Sequence, residues 1–410
     1  MSASMNSPTV TASIDRTILD AREDAPRFRA LVRAWLERTV PPNWREQQAA
    51  ASEAQQFAFQ RWWFGELSKI GMATAHWAGD WGGEALGVAS QIIFFEELAR
   101  ARAPSNSMFV STLYQLPATL FAAGTPQQRE RYIAGAQAGV LWCQGFSEPG
   151  AGSDLASLRT AAVRDGDVYV INGQKVWTSY GHFAKHCLLL ARTDPSQPKH
   201  RGISMFVMDM DSPGIDLRPI RQMTGQAEFN EMFLQDVRIP AANLIGEENA
   251  GWGIAQSTLS AERGLIIFEQ SERLRHFLAE LLNSARAGNS WLRDDESRRT
   301  FVRLYADAVS LTLMIREMLE QNDAHGEMAA QELPVYIKLH YAVLLQKLGA
   351  LLVRVNGLAG QLLRPDIATS GVPSGNWMFD YLSSWNWTIA GGTNEIMRNI
   401  IAERVLGLPR

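Results

Sequence analysis

Apolar positions along the first third of the chain recur every three or four residues. Phe28, Leu31, Val32, Trp35 and Leu36 fall on one face of a helix that must pack against something. Similar patterns predict helices over 57–70, 92–101 and 113–123, separated by glycine-bearing turns such as 79–83. Near Leu141 the period shortens. Residues 168–171 and 174–179 read as strands, and the intervening Asn172-Gly173 suits a type I′ turn, so a β-hairpin is predicted there. Further strands are predicted over 187–191, 203–208 and 231–237, with Asp194-Pro195 and Ser212-Pro213-Gly214 as turns. From Gly251 the helical period returns: Leu259, Ile266, Leu274, Leu278 and Leu281 share a spacing, and 301–319 and 333–352 repeat it. A loop over 365–376, rich in Gly, Ser and Pro, is a candidate pocket rim.

The order is therefore α, then β, then α, a mostly α fold with a middle β domain. The expected boundaries are 1–140 for an N-terminal α-helical domain with a polar tail over 1–13, 141–247 for the β domain and 248–410 for a C-terminal helical bundle. A chain of 410 residues is long enough for two or three packed modules. Lys and Arg total 39 against 43 Asp and Glu, a net charge of -4, which gives no sign of a nucleic-acid or anionic-membrane partner. The opening residues lack a basic stretch followed by an apolar core, and no run reaches the roughly 18 consecutive apolar residues of a spanning helix. The expectation is a cytoplasmic protein. Cys143 and Cys187 suggest neither zinc nor a dithiol pair and read as small buried hydrophobes.

Three segments carry candidate chemistry. Residues 142–154 (WCQGFSEPGAGSD) combine hydroxyls and glycines that let a backbone approach a bulky ligand, although a tight structural loop has the same composition. No strand is expected ahead of this run, so it does not read as a dinucleotide-binding fingerprint. Residues 175–181 (KVWTSYG) place a tryptophan and hydroxyls where a flat ligand could stack, or where a core tryptophan simply packs. Residues 390–407 run through two glycines into Thr393, a helix cap, and on to Gly407 with Pro409 beyond; free N–H groups at such a start suit a phosphate, and an ordinary capped helix looks the same. His182 and His186 lack a third ligand, so no metal is expected, and 145–150 lacks the spacing of a nucleophile elbow.

Together the wording and order of these segments resemble the acyl-CoA dehydrogenase family from about Phe57 to the end, most specifically at EPGAGSD, NGQKVWTS and GGTNEIMRNIIAERVLG. The resemblance implies a helical N-terminal domain, a middle β domain of barrel-like form, a C-terminal four-helix bundle, and FAD between sheet and bundle. It implies acyl-CoA as substrate and an electron-transferring flavoprotein as acceptor. Carried over by residue, flavin contacts fall on Gln144, Phe146, Ser147, Trp177 and Ser179. Ser153 matches a hydroxyl that meets the acyl-CoA, and Gly392, Thr393 and Glu395 match positions near an FAD of the same or a neighbouring subunit.

Dehydrogenation between Cα and Cβ needs a carboxylate to take the α-proton in a water-poor site that hydrogen-bonds the thioester carbonyl. In many members the carboxylate directly precedes the Gly-Thr of the last motif, where this chain has Gly391. Other members carry it before an arginine on the first long bundle helix, which points to Glu262-Arg263. At helical spacing Glu262 shares a face with Leu259, Leu265 and Ile266, an apolar stripe; a surface glutamate in an ion pair is the competing reading, and Glu269 is the reserve candidate. Gly391 keeps a role through its backbone N–H, while Leu259 and Arg263 are expected beside the substrate.

Two family elements are missing. Residues 284–296 replace an Arg-x-Phe-Gly element and 355–361 replace a Gln-x-x-Gly-Gly-x-Gly element, both used on the FAD of an adjacent subunit. Three readings follow: a complete dehydrogenase for a bulky, branched or ring-bearing acyl-CoA, one subunit of a heteromeric α2β2 assembly, or an oxidase. The assembly expected is a homotetramer, a homodimer or the α2β2 heterotetramer.

Overall fold

The computed structural model describes residues 17–260, 265–286, 290–325, 332–364 and 374–409. The N-terminal region holds α1 (Thr17–Asp20), α2 (Ala25–Thr39), α3 (Trp44–Ala49), α4 (Glu53–Lys69), α5 (Val88–Arg100), α6 (Leu116–Ala123) and α7 (Pro126–Gln137). Helix α2 starts where the Asp24 side chain accepts from the Arg27 N–H, and it buries Phe28, Val32, Trp35 and Leu36, while Leu31 is only half-buried. Helices α4 and α7 both begin in capping boxes, Ser52 with Gln55 and Thr125 with Gln128. A π turn over Ser111–Gln115 leads into α6.

Among the described residues, eight strands form one sheet: β1 (Trp142–Gly145), β2 (Ala161–Asp165), β3 (Val168–Ser179), β4 (His186–Arg192), β5 (Ile203–Asp209), β6 (Ile215–Ile220), β7 (Phe229–Pro240) and β8 (Leu244–Ile245). Their order is β6-β7-β3-β2-β4-β5-β8, with β1 parallel to β4 at the side. Strands β4 and β5 are buried almost end to end, because helices cover this part of the sheet and α8 (Gly251–Ser260) packs on β5. Cys143 and Cys187 face each other across β1 and β4 as buried free thiols.

The hairpin expected at Asn172-Gly173 is not there. The chain turns at Gly166-Asp167, where Gly166 adopts φ +64 and Asp165 pairs with Val168. Strand β3 runs straight through Asn172-Gly173 with a bulge against β7, and the Asn172 amide bonds Asp236 on the other side of it. A Cβ at Gly173 would come within 2.7 Å of Thr160 Cα, so glycine is needed there for close approach and not for a turn. A second correction concerns WCQGFSEPGAGSD: a strand, β1, does lie at its start.

The C-terminal region continues with α9 (Leu265–Arg286), α10 (Asp295–His325), α11 (Leu333–Val355), α12 (Gly357–Gly360), α13 (Trp377–Ser384) and α14 (Asn394–Ile400). Helix α10 packs against α9 and α11, α13 packs on α11, and α5 crosses over to pack on α9. By length and composition α11 is apolar enough to cross a membrane; here it carries the buried centre of the bundle, with Ile337, Tyr341, Leu344 and Leu348 inside. The buried residues form two cores, one shared by the N-terminal helices and the sheet, the other inside the bundle and reached by Ile92 of α5.

Candidate active site

One wall of the site is built by β1, β3 and the loop that follows β1. A second bulge against β7 lies between Lys175 and Thr178, and within it Trp177 takes φ +62, a left-handed backbone uncommon for a bulky residue. The bulge turns the indole outward: Trp177 is 56% exposed and rests edge-on against Phe229 at 5.9 Å. Ser179, two residues on, is also exposed. Next to it, the Val176 N–H donates to the Ser147 carbonyl over 2.9 Å, holding the post-β1 loop against β3. In that loop Phe146 is buried, Ser147 is half-buried and Gln144 Nε2 is buried with no hydrogen-bond partner.

Sequence reasoning assigned no role to the pair that sets this wall. Lys175 is fully buried and donates from Nζ to Glu148 at 2.8 Å and to the Phe146 carbonyl at 3.1 Å. Glu148 also accepts from the N–H groups of Arg159, at 2.7 Å, and Thr160, at 2.8 Å. Burial opposes the charge of Glu148, but the Lys175 ammonium and these hydrogen bonds outweigh it, so its carboxyl sits below the ordinary carboxylate range. Burial lowers the Lys175 pKa, with Glu148 working against that fall. A signal was present in the sequence: Lys175 is the one charged residue of 175–181, and Glu148 sits among uncharged residues until Asp154.

The C-terminal motif is anchored elsewhere. Thr393 caps α14 by accepting from the Ile396 N–H at 3.2 Å, as expected from the sequence. Lys338 of α11 donates to the Gly392 carbonyl at 2.5 Å and to Asn394 Oδ1 at 3.2 Å, a contact that sequence reasoning missed. Gly391 and Gly392 take φ +66 and +94; a Cβ at Gly391 would meet nothing, whereas one at Gly392 would strike Met397. Glu395 is exposed and paired with Arg398 at 3.0 Å. The hydrogen bonds of Gly392 and Asn394 thus run to α11, not to the sheet wall that carries Trp177.

Glu262 and Arg263 lie outside the described residues. Their neighbours are placed: Leu259 of α8 packs half-buried on the larger core, and Thr258 beside it is bonded to Thr119 of α6 at 2.7 Å. The reserve carboxylate, Glu269, is buried on α9 and held by Arg273 at 2.7 Å. Ser153 sits exposed in the turn before Asp154. His186 pairs with Asp209 at 2.6 Å and His182 contacts Asn230 at 3.1 Å; among the described residues no three His, Cys, Asp or Glu side chains are grouped to hold a metal.

Family comparisons match this architecture segment by segment. The acyl-CoA dehydrogenase N-terminal domain matches residues 22–139, the middle domain 143–237 and the C-terminal domain 249–406. The chain belongs to the acyl-CoA dehydrogenase family. It is 39% identical over 400 residues to acyl-CoA dehydrogenase IpdE1 of Mycobacterium tuberculosis, covering 95% of this chain and 99% of that one. Among solved structures it resembles the Tcur3481-Tcur3483 steroid ACAD (TM-score 0.82, 29% identity, 95% of this chain and 98% of that one). It also resembles the ChsE4-ChsE5 complex from Mycobacterium tuberculosis (TM-score 0.76, 29% identity, 99% of this chain and 100% of that one). Like the rest of its family, this dehydrogenase is an oxidoreductase.

Proposed function

We propose that this enzyme removes hydrogen from Cα and Cβ of a bulky, branched or ring-bearing acyl-CoA, giving the trans-2-enoyl thioester, with FAD as cofactor. The observation that carries the reading is Trp177, a large aromatic held in a strained backbone by a bulge and turned to face outward. Strain of this kind costs on the order of 1–3 kcal/mol and persists where something else needs it. The residues present fit a flat flavin: an indole face, the Ser147 and Ser179 hydroxyls, and the unpartnered Gln144 amide, which a polar ring edge would satisfy. Gln144, Phe146, Ser147, Trp177 and Ser179 would hold the ring, and Gly392, Thr393 and Glu395 would lie near an FAD of the same or a neighbouring subunit. When bound, FAD supplies the acceptor for the β-hydrogen.

The chain's own part in the chemistry falls to Glu262, which takes the α-proton. Leu259, three residues earlier in the sequence, packs half-buried on the larger core. A desolvated carboxylate is a stronger base than a solvated one. Gly391 offers a backbone N–H to the thioester carbonyl, where charge develops as the proton leaves. Its open surroundings leave room for a wide acyl group, and Ser153, Leu259 and Arg263 would line the substrate's path. Similarity over nearly the whole chain to a steroid ACAD supports the ring-bearing choice. Electron-transferring flavoprotein is the proposed acceptor and the cytoplasm the proposed location. A panel of acyl-CoA thioesters, scored by bleaching of the flavin absorbance, tests the reading; bleaching by short straight chains only would overturn the substrate class.

A second reading makes this chain one subunit of an α2β2 assembly, in place of a homodimer or homotetramer. It is favoured by exposed apolar side chains gathered in the C-terminal region, Leu358, Leu362, Trp385, Ile389, Leu406 and Leu408, and by the two-component names of both similar structures. Protein purified alone that is colourless, and turns yellow only with a partner, would select it. An oxidase would instead release hydrogen peroxide from acyl-CoA in air, without an added acceptor.

A further inference from the structure

The segment that carries Gly391 is held from two sides by one helix. Upstream, Trp387 packs on the bundle core with its ring edge-on to Tyr341 of α11 at 5.2 Å, and the Ala390 N–H donates to the Asn386 carbonyl over 2.8 Å. Downstream, Lys338 of α11 donates from Nζ to the Gly392 carbonyl at 2.5 Å and to Asn394 Oδ1 at 3.2 Å. Lys338 and Tyr341 stand three residues apart on α11, so they share one face of it, and both are buried.

A lysine is seldom enclosed in this way, because its Nζ gives up water and must find acceptors inside the protein. The partners of Lys338 show what it holds: the main-chain carbonyl of a glycine and the side chain of the first residue of α14. Thr393 caps α14 through its own hydroxyl, so that helix has its cap without the lysine. The glycine pair is what lacks a constraint of its own. Gly391 and Gly392 take φ +66 and +94, and without a Cβ neither has side-chain sterics to fix the planes of its peptide groups.

The direction of the Gly391 N–H is therefore set by the contacts on either side, Asn386 on the residue before it and Lys338 on the carbonyl after it. Gly391 itself is exposed, and among the described residues no backbone carbonyl accepts from its N–H. We infer, on the footing of the proposed role of Gly391, that Lys338 is a positioning residue for the reaction: by gripping the Gly392 carbonyl it aims the Gly391 N–H at the thioester carbonyl. A donor of this kind stabilises charge that develops on the oxygen as the α-proton leaves. Misdirecting it harms the transition state more than the binding of the ground state.

The test compares wild type with Lys338→Met and Lys338→Gln, each loaded with flavin and with its partner if one is needed for flavin. The probe is a ring-bearing enoyl-CoA with an isotopic label at the thioester carbonyl, whose infrared stretching frequency falls when the oxygen accepts a hydrogen bond. Bound to wild type, it should show a lower frequency than the same thioester in an aprotic solvent. In Lys338→Met much of that lowering should be lost. Bleaching of the flavin by the matching saturated thioester should then slow on the order of 10- to 100-fold, with its dissociation constant within about threefold of wild type. Lys338→Gln keeps a donor at shorter reach and should fall between the two; it decides the matter if the methionine variant does not fold. A lysine with a structural role alone would lower the melting temperature on removal and leave the frequency of the bound probe unchanged. That result overturns the inference and leaves the dehydrogenase reading standing. Bleaching in wild type without any lowered frequency would overturn it as well, by removing Gly391 as the carbonyl's donor. A wild-type flavin that no thioester bleaches would sink both.

Discussion

The two walls of the proposed site are built on different principles. The sheet wall is positioned by short-range constraints: two bulges in β3, one close glycine contact at Gly173, and the buried Lys175–Glu148 pair that ties strand to loop. The helical wall depends on how separate helices dock, with Thr258 on Thr119 at one end, and Arg273 joining Glu269 to the Ala103 and Pro104 carbonyls at the other. The first wall presents a fixed flat face. The second holds Glu269 through Arg273, four residues on, whose remaining partners, the Ala103 and Pro104 carbonyls, lie far away in sequence. A flat cofactor asks for the former, and a family that handles many acyl groups can vary the latter without disturbing it.

Breaking the sheet wall should give the largest effect. Lys175→Met leaves Glu148 buried beside two backbone donors but without its ammonium, and removing one member of such a pair costs about 3–5 kcal/mol. Urea titration should show that loss, together with weakened flavin retention on dialysis. A variant that keeps both full stability and flavin would show the pair to be incidental.

On the helical side the expected effect is smaller and depends on pH. Burial depresses His76 from the usual 6.5 to about 4, with its bond to the Leu113 carbonyl acting the other way. The unfolded chain therefore binds a proton at His76 before the folded protein does. The stability this neutral histidine provides is complete above about pH 6.5 and is lost as pH falls towards 4, roughly 3 kcal/mol in all. His76→Gln should flatten the fall in denaturation midpoint over that window; an unchanged slope would place the acid sensitivity elsewhere. Weaker again, Thr393→Ala removes the cap of α14 at a cost of about 1 kcal/mol. It should show as a lowered melting temperature with the sheet wall untouched, and a change in the Trp177 environment would mean the two walls are more tightly joined than described.

The helices were legible in the sequence because their faces follow a simple period, and α2, α4, α5, α10 and α11 lie close to where that period puts them. Asn172-Gly173 was misread because an Asn-Gly pair fits both a type I′ turn and a bulge under which another backbone passes; only the tertiary approach of Thr160 decides between them. The exposed Trp177 could not be told from a core tryptophan without knowing of the bulge. Lys175 and Glu148 escaped notice because charge is usually a surface property, and their pairing joins residues 27 apart in sequence.

The central claim places the proton-abstracting acid at Glu262, and anaerobic mixing of Glu262→Gln with a ring-bearing acyl-CoA tests it most directly. The account predicts a protein that retains its flavin and binds the thioester, yet whose flavin absorbance bleaches on the order of 10³-fold more slowly than wild type. Bleaching at the wild-type rate would contradict it and move the base to Glu269 or another carboxylate.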